Sequence, residues 1–284
     1  MSKGIAETAN GPEYVLGHSD RELARLKAQA ALIDPTTRRF LRAAGITPGM
    51  CVLDVGSGAG DVAFLAAELV GDSGSVIGVD RAPAAVTVAS ARAAARALTN
   101  VMFREGDPAD MSFDRPFDAV IGRYVLQFQK DPAAVLRRLA THARPGGTIV
   151  FHEIDWSGLA SIPPVPTFDL CCQWGADAMR LHGTETHMGT KLHSAFVGAG
   201  LGSPTMRLEA PVGGMPVTLP WLEIFKELIA TLLPEMERLG VATAAQVGLE
   251  TLVERIGSEA ISTTSLIIGH SQIGAWVRRP LASP

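Results

Sequence analysis

The 284-residue sequence predicts an α/β domain built on a doubly wound, mostly parallel, seven-stranded sheet. Two observations carry that prediction. From residue 51 onward, short apolar runs alternate with helical patterns across short connections, the rhythm of βαβ units that bury both faces of a sheet. The first of these units, "CVLDVGSGAGDVAFLAAELV" at 51–70, passes from strand to helix through Gly56, Gly58 and Gly60. A glycine turn at that point lets backbone run close to a ligand, while the N–H groups of the helix start point at it.

The elements follow in chain order. Residues 1–12 are polar. "SDRELARLKAQAALI" reads as a helix, with Ser19 as N-cap and Glu22 three residues on completing a capping box. "DPTTRRFLRAAG" reads as a second helix, with Asp34 as cap, Pro35 in the first turn and Gly45 as the stop. Strands are expected at 51–55, 75–80, 101–105, 117–122 and 148–154, with helices between them at 60–70, 83–98 and 131–143. "RPGGT" reads as the tight turn before the fifth strand. After Trp156 the proline-rich "SIPPVP" breaks the rhythm, and helices at 167–182 and 188–199 lead to a strand at 204–210. "APVGGMPVTLP" is a second break. Helices at 220–233 and 243–256, parted by Pro234 and Gly240, precede a last strand within "TTSLIIGHSQIGAWVRR". The helical stretch at about 213–260 thus interrupts a strand pair and reads as a lid or dimerisation insert.

Composition narrows the partners. With 47% hydrophobic and 19% charged residues the chain can bury a large core. The net charge is −4, and no basic stripe suited to a phosphate backbone is present, so no nucleic-acid partner is expected. The three cysteines, Cys51, Cys171 and Cys172, are an odd count with two adjacent, which fits a reducing compartment rather than a disulfide framework. The first residues lack the apolar core of a signal peptide, and no apolar run reaches the ~18 residues of a membrane span. A cytoplasmic location without membrane contact is the expectation. No H-x-x-x-H, C-x-x-C or D-x-D grouping points to a metal.

The glycine turn admits two ligand classes. Dinucleotides prefer G-x-G-x-x-G, whereas Gly56-Ser57-Gly58-Ala59-Gly60-Asp61 places its third glycine one residue early and sets an aspartate where a pyrophosphate would lie. An NAD(P)-dependent oxidoreductase is therefore the alternative reading. A cationic cofactor suits the acidic surroundings better. "LDVGSGAG" resembles the first motif of the class I S-adenosylmethionine-dependent methyltransferases, and further segments resemble the family in matching order: "VIGVDRAP", "EGDPADM", "FDAVIGRYVLQF" and "ARPGGTIVFHEIDW". The small-molecule branch, similar to ubiquinone and menaquinone C-methyltransferases, is the nearest in kind.

That resemblance implies a Rossmann-like sheet with its last strand antiparallel, covered by N-terminal helices. It divides the chain into a helical cover at 1–45, a cofactor-binding half at 46–156, and a second half at 157–284 carrying the insert. It implies S-adenosylmethionine as cofactor and S-adenosylhomocysteine as product, without a metal. Cofactor contacts are expected from Tyr14, Asp54, Gly56, Ser57, Gly58, Gly60, Asp80, Arg81, Gly106, Asp107, Pro108 and Arg123. Asp80 would hold the ribose hydroxyls and Asp107 the adenine amine. His152, beside Glu153 at the end of the fifth strand, is the candidate base. His18, Tyr124, Gln127, Trp156, His182 and His187 are the candidate acceptor contacts. The expected reaction is methyl transfer to a small, partly hydrophobic acceptor, O-methylation ahead of N- or C-methylation. A non-catalytic adenosyl-cofactor binder would carry the same cofactor residues. The apolar stripe Trp221, Ile224, Phe225, Leu228, Ile229 and Leu232 reads as core, pocket lining or a homodimer face.

Overall fold

The computed structural model of the chain describes residues 20–281, with side chains from residue 32 onward. Tyr14, His18 and the Ser19 cap lie outside the described residues. The chain enters through α1 (Asp20–Ala43), a single helix that runs through Pro35 where the sequence predicts two. Proline costs a helix interior one N–H bond and a clash, and burial of Ile33, Phe40 and Leu41 on either side of it offsets that cost. Asp34, expected as a cap, instead accepts from Arg123 at 2.8 Å.

Alternation then sets in as the pattern requires: β1 (Cys51–Val55), α2 (Asp61–Val70), β2 (Ser75–Asp80), α3 (Pro83–Ala95), β3 (Val101–Glu105), β4 (Phe117–Arg123), α4 (Pro132–Ala140) and β5 (Ala143–Asp155). Asp131 caps α4 by accepting from the Ala134 N–H at 2.9 Å. "RPGGT" is not a turn before β5 but an irregularity inside it. Phe117 faces Ala143 while Ala119 faces Thr148, so the glycines are absorbed as a bulge.

The second half comprises β6 (Ala160–Ile162), α5 (Pro166–Leu181), α6 (Met188–Gly198), β7 (Thr205–Glu209), β8 (Val212–Gly213), α7 (Leu219–Arg238), α8 (Ala244–Val247), α9 (Leu252–Thr263), β9 (Leu266–Ile268) and β10 (Ser271–Arg278). The main sheet has the order β3-β2-β1-β4-β5-β10-β7. β1 to β5 are parallel, and the last strand, β10, runs antiparallel to both of its neighbours, β5 and β7. Two features differ from the expectation. α7 continues through Pro234, carried by the buried Met236 beyond it. The last strand breaks at Gly269-His270, and its first part, β9, joins a small separate sheet of order β6-β9-β8.

Three apolar clusters hold these layers. Alternate residues of the central strands point to opposite faces: Val52, Ile121 and Val150 pack towards α2, whereas Leu53, Val120 and Phe151 pack towards α4 and α6. Each such fully buried side chain is worth about 1.5–3 kcal/mol against exposure. A third cluster joins α5, α7 and α9 through Phe168, Trp221, Leu222 and Phe225. The α7 stripe therefore faces into the chain. Among the described residues, no helix is long and apolar enough to cross a membrane.

Candidate active site

Parallel strands that turn into helices leave their C-terminal ends facing a common crevice. Here the ends of β1, β2, β4 and β5 open onto one cavity of about 730 Å³. One end is lined by Gly56, Ser57, Gly58, Asp80, Arg81, Asp107 and Pro108. At the other end stand Trp156, Met179, Trp221, Phe225 and His270, with Tyr124 and Gln127 also on the wall.

The first end is organised by a carboxylate. Asp80 Oδ2 accepts the Gly58 N–H at 2.8 Å and Oδ1 accepts the Ala82 N–H at 2.9 Å, so Asp80 fixes both the glycine loop and the start of α3. Each oxygen keeps lone pairs for a further donor. Gly58 adopts φ +50° and a side chain there would stand in open space, whereas a Cβ on Gly60 would lie 2.7 Å from Phe103. The loop thus owes one glycine to the ligand side and another to packing. Asp107 accepts the Ala109 N–H at 2.9 Å and pairs with Arg81. Gly106 donates its N–H to the Asp80 carbonyl at 2.9 Å and stands behind the cavity wall.

Asp54 lies beneath the loop, fully buried, with no side-chain partner and only the Ala63 backbone N–H at the start of α2 facing its carboxyl group. Burial pushes its carboxyl up to about 8, opposed by the Arg123 charge. Ser57 Oγ is likewise buried without a partner. These residues suit an adenosyl sulfonium. Open space at Gly58 and the free lone pairs of Asp80 leave room for a ribose, and among the described residues the arginines lining the cavity are already paired (Arg81 with Asp107, Arg123 with Asp34 and Arg39 with Glu209) rather than free for a pyrophosphate.

Between the two ends runs a polar relay. Arg123 donates to Asp34 at 2.8 Å and to Thr37 Oγ1 at 2.9 Å. Thr37 Oγ1 stands 3.1 Å from His152 Nδ1, and His152 Nε2 stands 2.9 Å from Gln272 Oε1, which also accepts from the Tyr124 hydroxyl. An amide oxygen only accepts, so Nε2 carries the proton and Nδ1 is the acceptor facing the Thr37 hydroxyl, whose single proton it shares with the Ile33 carbonyl at 3.3 Å. Burial, then the Arg123 charge, pull His152 down to about 3. The ring is neutral, engaged at both nitrogens, and not on the cavity wall. Glu153 also points away: Oε1 accepts the N–H groups of Val125 and Leu126 at 2.9 and 2.8 Å. Burial raises Glu153 to about 7, and its second oxygen has no partner.

The remaining expected contacts divide. Trp156, Tyr124 and Gln127 line the cavity, and Gln127 Oε1 is buried without a partner. His182 lies against Glu235 at 3.1 Å, and His187 lies 3.6 Å from Asp155 at the start of α6, so neither borders the cavity. Neither His270 nor Gln272 was among the residues expected at the site; both line the cavity. The available signal was the Gly269-His270 break inside an otherwise apolar strand.

A doubly wound sheet with one antiparallel strand, and a glycine loop tied to an acidic residue on the neighbouring strand, define a Rossmann-like nucleoside-cofactor fold of the methyltransferase kind. The family model described as a methyltransferase domain matches residues 46–189, half of the chain. The chain belongs to that family, the class I S-adenosylmethionine-dependent methyltransferases, which sets aside the oxidoreductase alternative. It is 37% identical over 148 residues to nocamycin O-methyltransferase of Saccharothrix syringae, covering 52% of this chain and 49% of that protein. It is 44% identical over 101 residues to 2-phytyl-1,4-naphtoquinone methyltransferase of Synechococcus elongatus, covering 35% and 43% of the two chains. The chain thus spans half or less of the length of these relatives. In fold it is similar to phosphoethanolamine N-methyltransferase 2 of Haemonchus contortus in complex with S-adenosyl-L-methionine, with a TM-score of 0.52, 20% identity, and 87% and 52% of the chains covered.

Proposed function

We propose that this protein transfers a methyl group from S-adenosylmethionine to an oxygen of a small, largely apolar acceptor. The observation that supports methyl transfer to a small acceptor is one cavity joining the Asp80 and Gly58 end to the aromatic end; oxygen as the accepting atom is the further step of the proposal. When bound, the cofactor supplies a methyl group on a cationic sulfur, whose departure needs no proton.

The residues that would hold it are the loop Gly56 to Gly60, Asp80 for ribose hydroxyls and Asp107 for the adenine amine. What this chain must add is alignment and exclusion of water, and alignment alone is worth several kcal/mol of a barrier. The Arg123–Thr37–His152–Gln272–Tyr124 relay fixes the wall between the two ends. His152 serves there as a positioning residue rather than a base, because a neutral ring bonded at both nitrogens has no free lone pair for an acceptor proton. Glu153 holds the turn after β4 that carries Gln127. The aromatic wall keeps water from the acceptor side.

Calorimetric titration with S-adenosylhomocysteine, NAD and NADP tests the cofactor. Micromolar binding of the first alone is expected; binding of a dinucleotide instead overturns the proposal.

A further inference from the structure

We propose that the far end of the cavity is a subsite for a flat aromatic ring bearing a hydroxyl group, and that His270 is its polar anchor. The inference rests on the methyl-transfer reading for its purpose, but its evidence lies in a separate set of residues.

His270 sits at the break between β9 and β10, held there because the Gly269 N–H donates to the Pro211 carbonyl at 2.8 Å. Gly269 itself is required: a Cβ would lie 2.6 Å from the Trp221 ring. The imidazole is 4% exposed, and its Nε2 is buried with no hydrogen-bond partner. Around it stand Trp156, edge-on at 4.5 Å between centroids, Trp221 at 5.6 Å and Phe225 at 6.1 Å, while Trp221 and Phe225 stack on each other at 5.3 Å. All four residues line the cavity.

Leaving a buried polar atom unpaired costs about 1–3 kcal/mol, so a histidine that lines a cavity while its Nε2 stays covered by neighbouring side chains has a partner to gain once a ligand turns the ring towards the cavity. Its surroundings say what kind. Aromatic faces favour a flat π-system over a saturated one of equal size. A neutral imidazole nitrogen accepts from a hydroxyl or donates to one, according to tautomer. Among the described residues that line the cavity, the arginines are already paired: Arg123 with Asp34, Arg39 with Glu209 and Arg81 with Asp107. That selects a neutral acceptor over a carboxylate or phosphate.

The test uses the full chain saturated with S-adenosylhomocysteine, and equilibrium dialysis with three probes: 2-naphthol, naphthalene and decahydro-2-naphthol. The wild type is expected to bind 2-naphthol about tenfold more tightly than either of the others. His270→Phe should bring 2-naphthol and naphthalene within about twofold of each other, and His270→Gln should restore most of the difference. Retained affinity for S-adenosylhomocysteine shows that each variant is folded. The subsite is overturned if His270→Phe keeps the wild-type preference, if the saturated alcohol binds as well as the aromatic one, or if no probe binds. The cofactor reading fails by a different result: no binding of S-adenosylhomocysteine to the wild type, whatever the probes do.

Discussion

Asp80 Oδ2 accepts the backbone N–H of Gly58 at 2.8 Å, so the carboxylate that ends β2 is bonded to the loop that follows β1. One side chain therefore shapes the glycine loop and also presents acceptors to the cavity. Asp80→Asn keeps the shape, with one acceptor fewer and a donor facing Gly58 or Ala82; Asp80→Ala removes both functions. We expect S-adenosylhomocysteine affinity to fall about tenfold in the first and beyond a hundredfold in the second, read by calorimetry.

The glycines of the loop separate ligand room from packing room. At Gly58 a methyl group meets nothing within 4 Å, so Gly58→Ala carries only the left-handed backbone penalty, about 1–2 kcal/mol, but places the methyl beside the cofactor end. Gly60→Ala adds a Cβ 2.7 Å from Phe103 and 3.0 Å from Phe64, so overpacking joins the backbone penalty and the loss reaches about 2–4 kcal/mol. Thermal unfolding should rank Gly60→Ala as the less stable of the two. At temperatures where both are folded, cofactor titration should rank Gly58→Ala as the weaker binder relative to its stability loss.

The glycine-loop end of the cavity was legible as structure because its signals are local. A strand, a glycine turn and an acidic residue one βαβ step later all fall within thirty residues, and β1 to β3 appear at the residues expected. What the sequence hid depends on distant partners. Pro35 and Pro234 read as helix breaks because the buried contacts that carry the helices past them are tertiary. The β6-β9-β8 sheet is built from strands of three, three and two residues, too short for any period to register. His152 looked available as a base because nothing near it in sequence reveals Thr37 and Gln272 on its two nitrogens. Nothing near His270 in sequence marks it, because its neighbours are apolar, and its place beside the cavity arises only where α7 meets the end of β5.

Asp54 makes the fold's stability depend on pH in a stated direction. Its carboxyl keeps its proton up to about 8 in the folded chain against an ordinary 3.8 in the unfolded one. The stability it contributes is full below 3.8 and is lost as pH rises through about 8. Glu153, raised to about 7, acts with the same sign. His152 and His270, both pulled down to about 3 from 6.5, act with the opposite sign, but only below 6.5. Between pH 6.5 and 8 the carboxyl groups therefore win. The wild-type melting temperature should fall across that window, and Asp54→Asn should remove up to about 1.4 kcal/mol per pH unit of the decline. A wild type whose melting temperature rises from pH 6.5 to 8 contradicts the buried, protonated Asp54.

His152 can be tested as a positioning residue by what its loss does to pH dependence. The ring packs edge-on against Phe40 at 4.9 Å and joins Thr37 to Gln272, so His152→Ala leaves both a void and stranded polar groups, at about 2–4 kcal/mol of stability. His152→Gln keeps a side chain able to accept and donate, yet cannot titrate. A general base contributes about 10²–10⁴-fold to rate, and its loss flattens the acid limb of the pH–rate profile. A positioning residue leaves that limb in place. With a hydroxylated aromatic acceptor, His152→Gln should lose less than tenfold in kcat and keep the wild-type profile. His152→Ala should lose more, through Tyr124 and Gln272 losing their shared geometry, again without a change of profile. Loss of the acid limb in His152→Gln would return the imidazole to the chemistry and take it out of the scaffold.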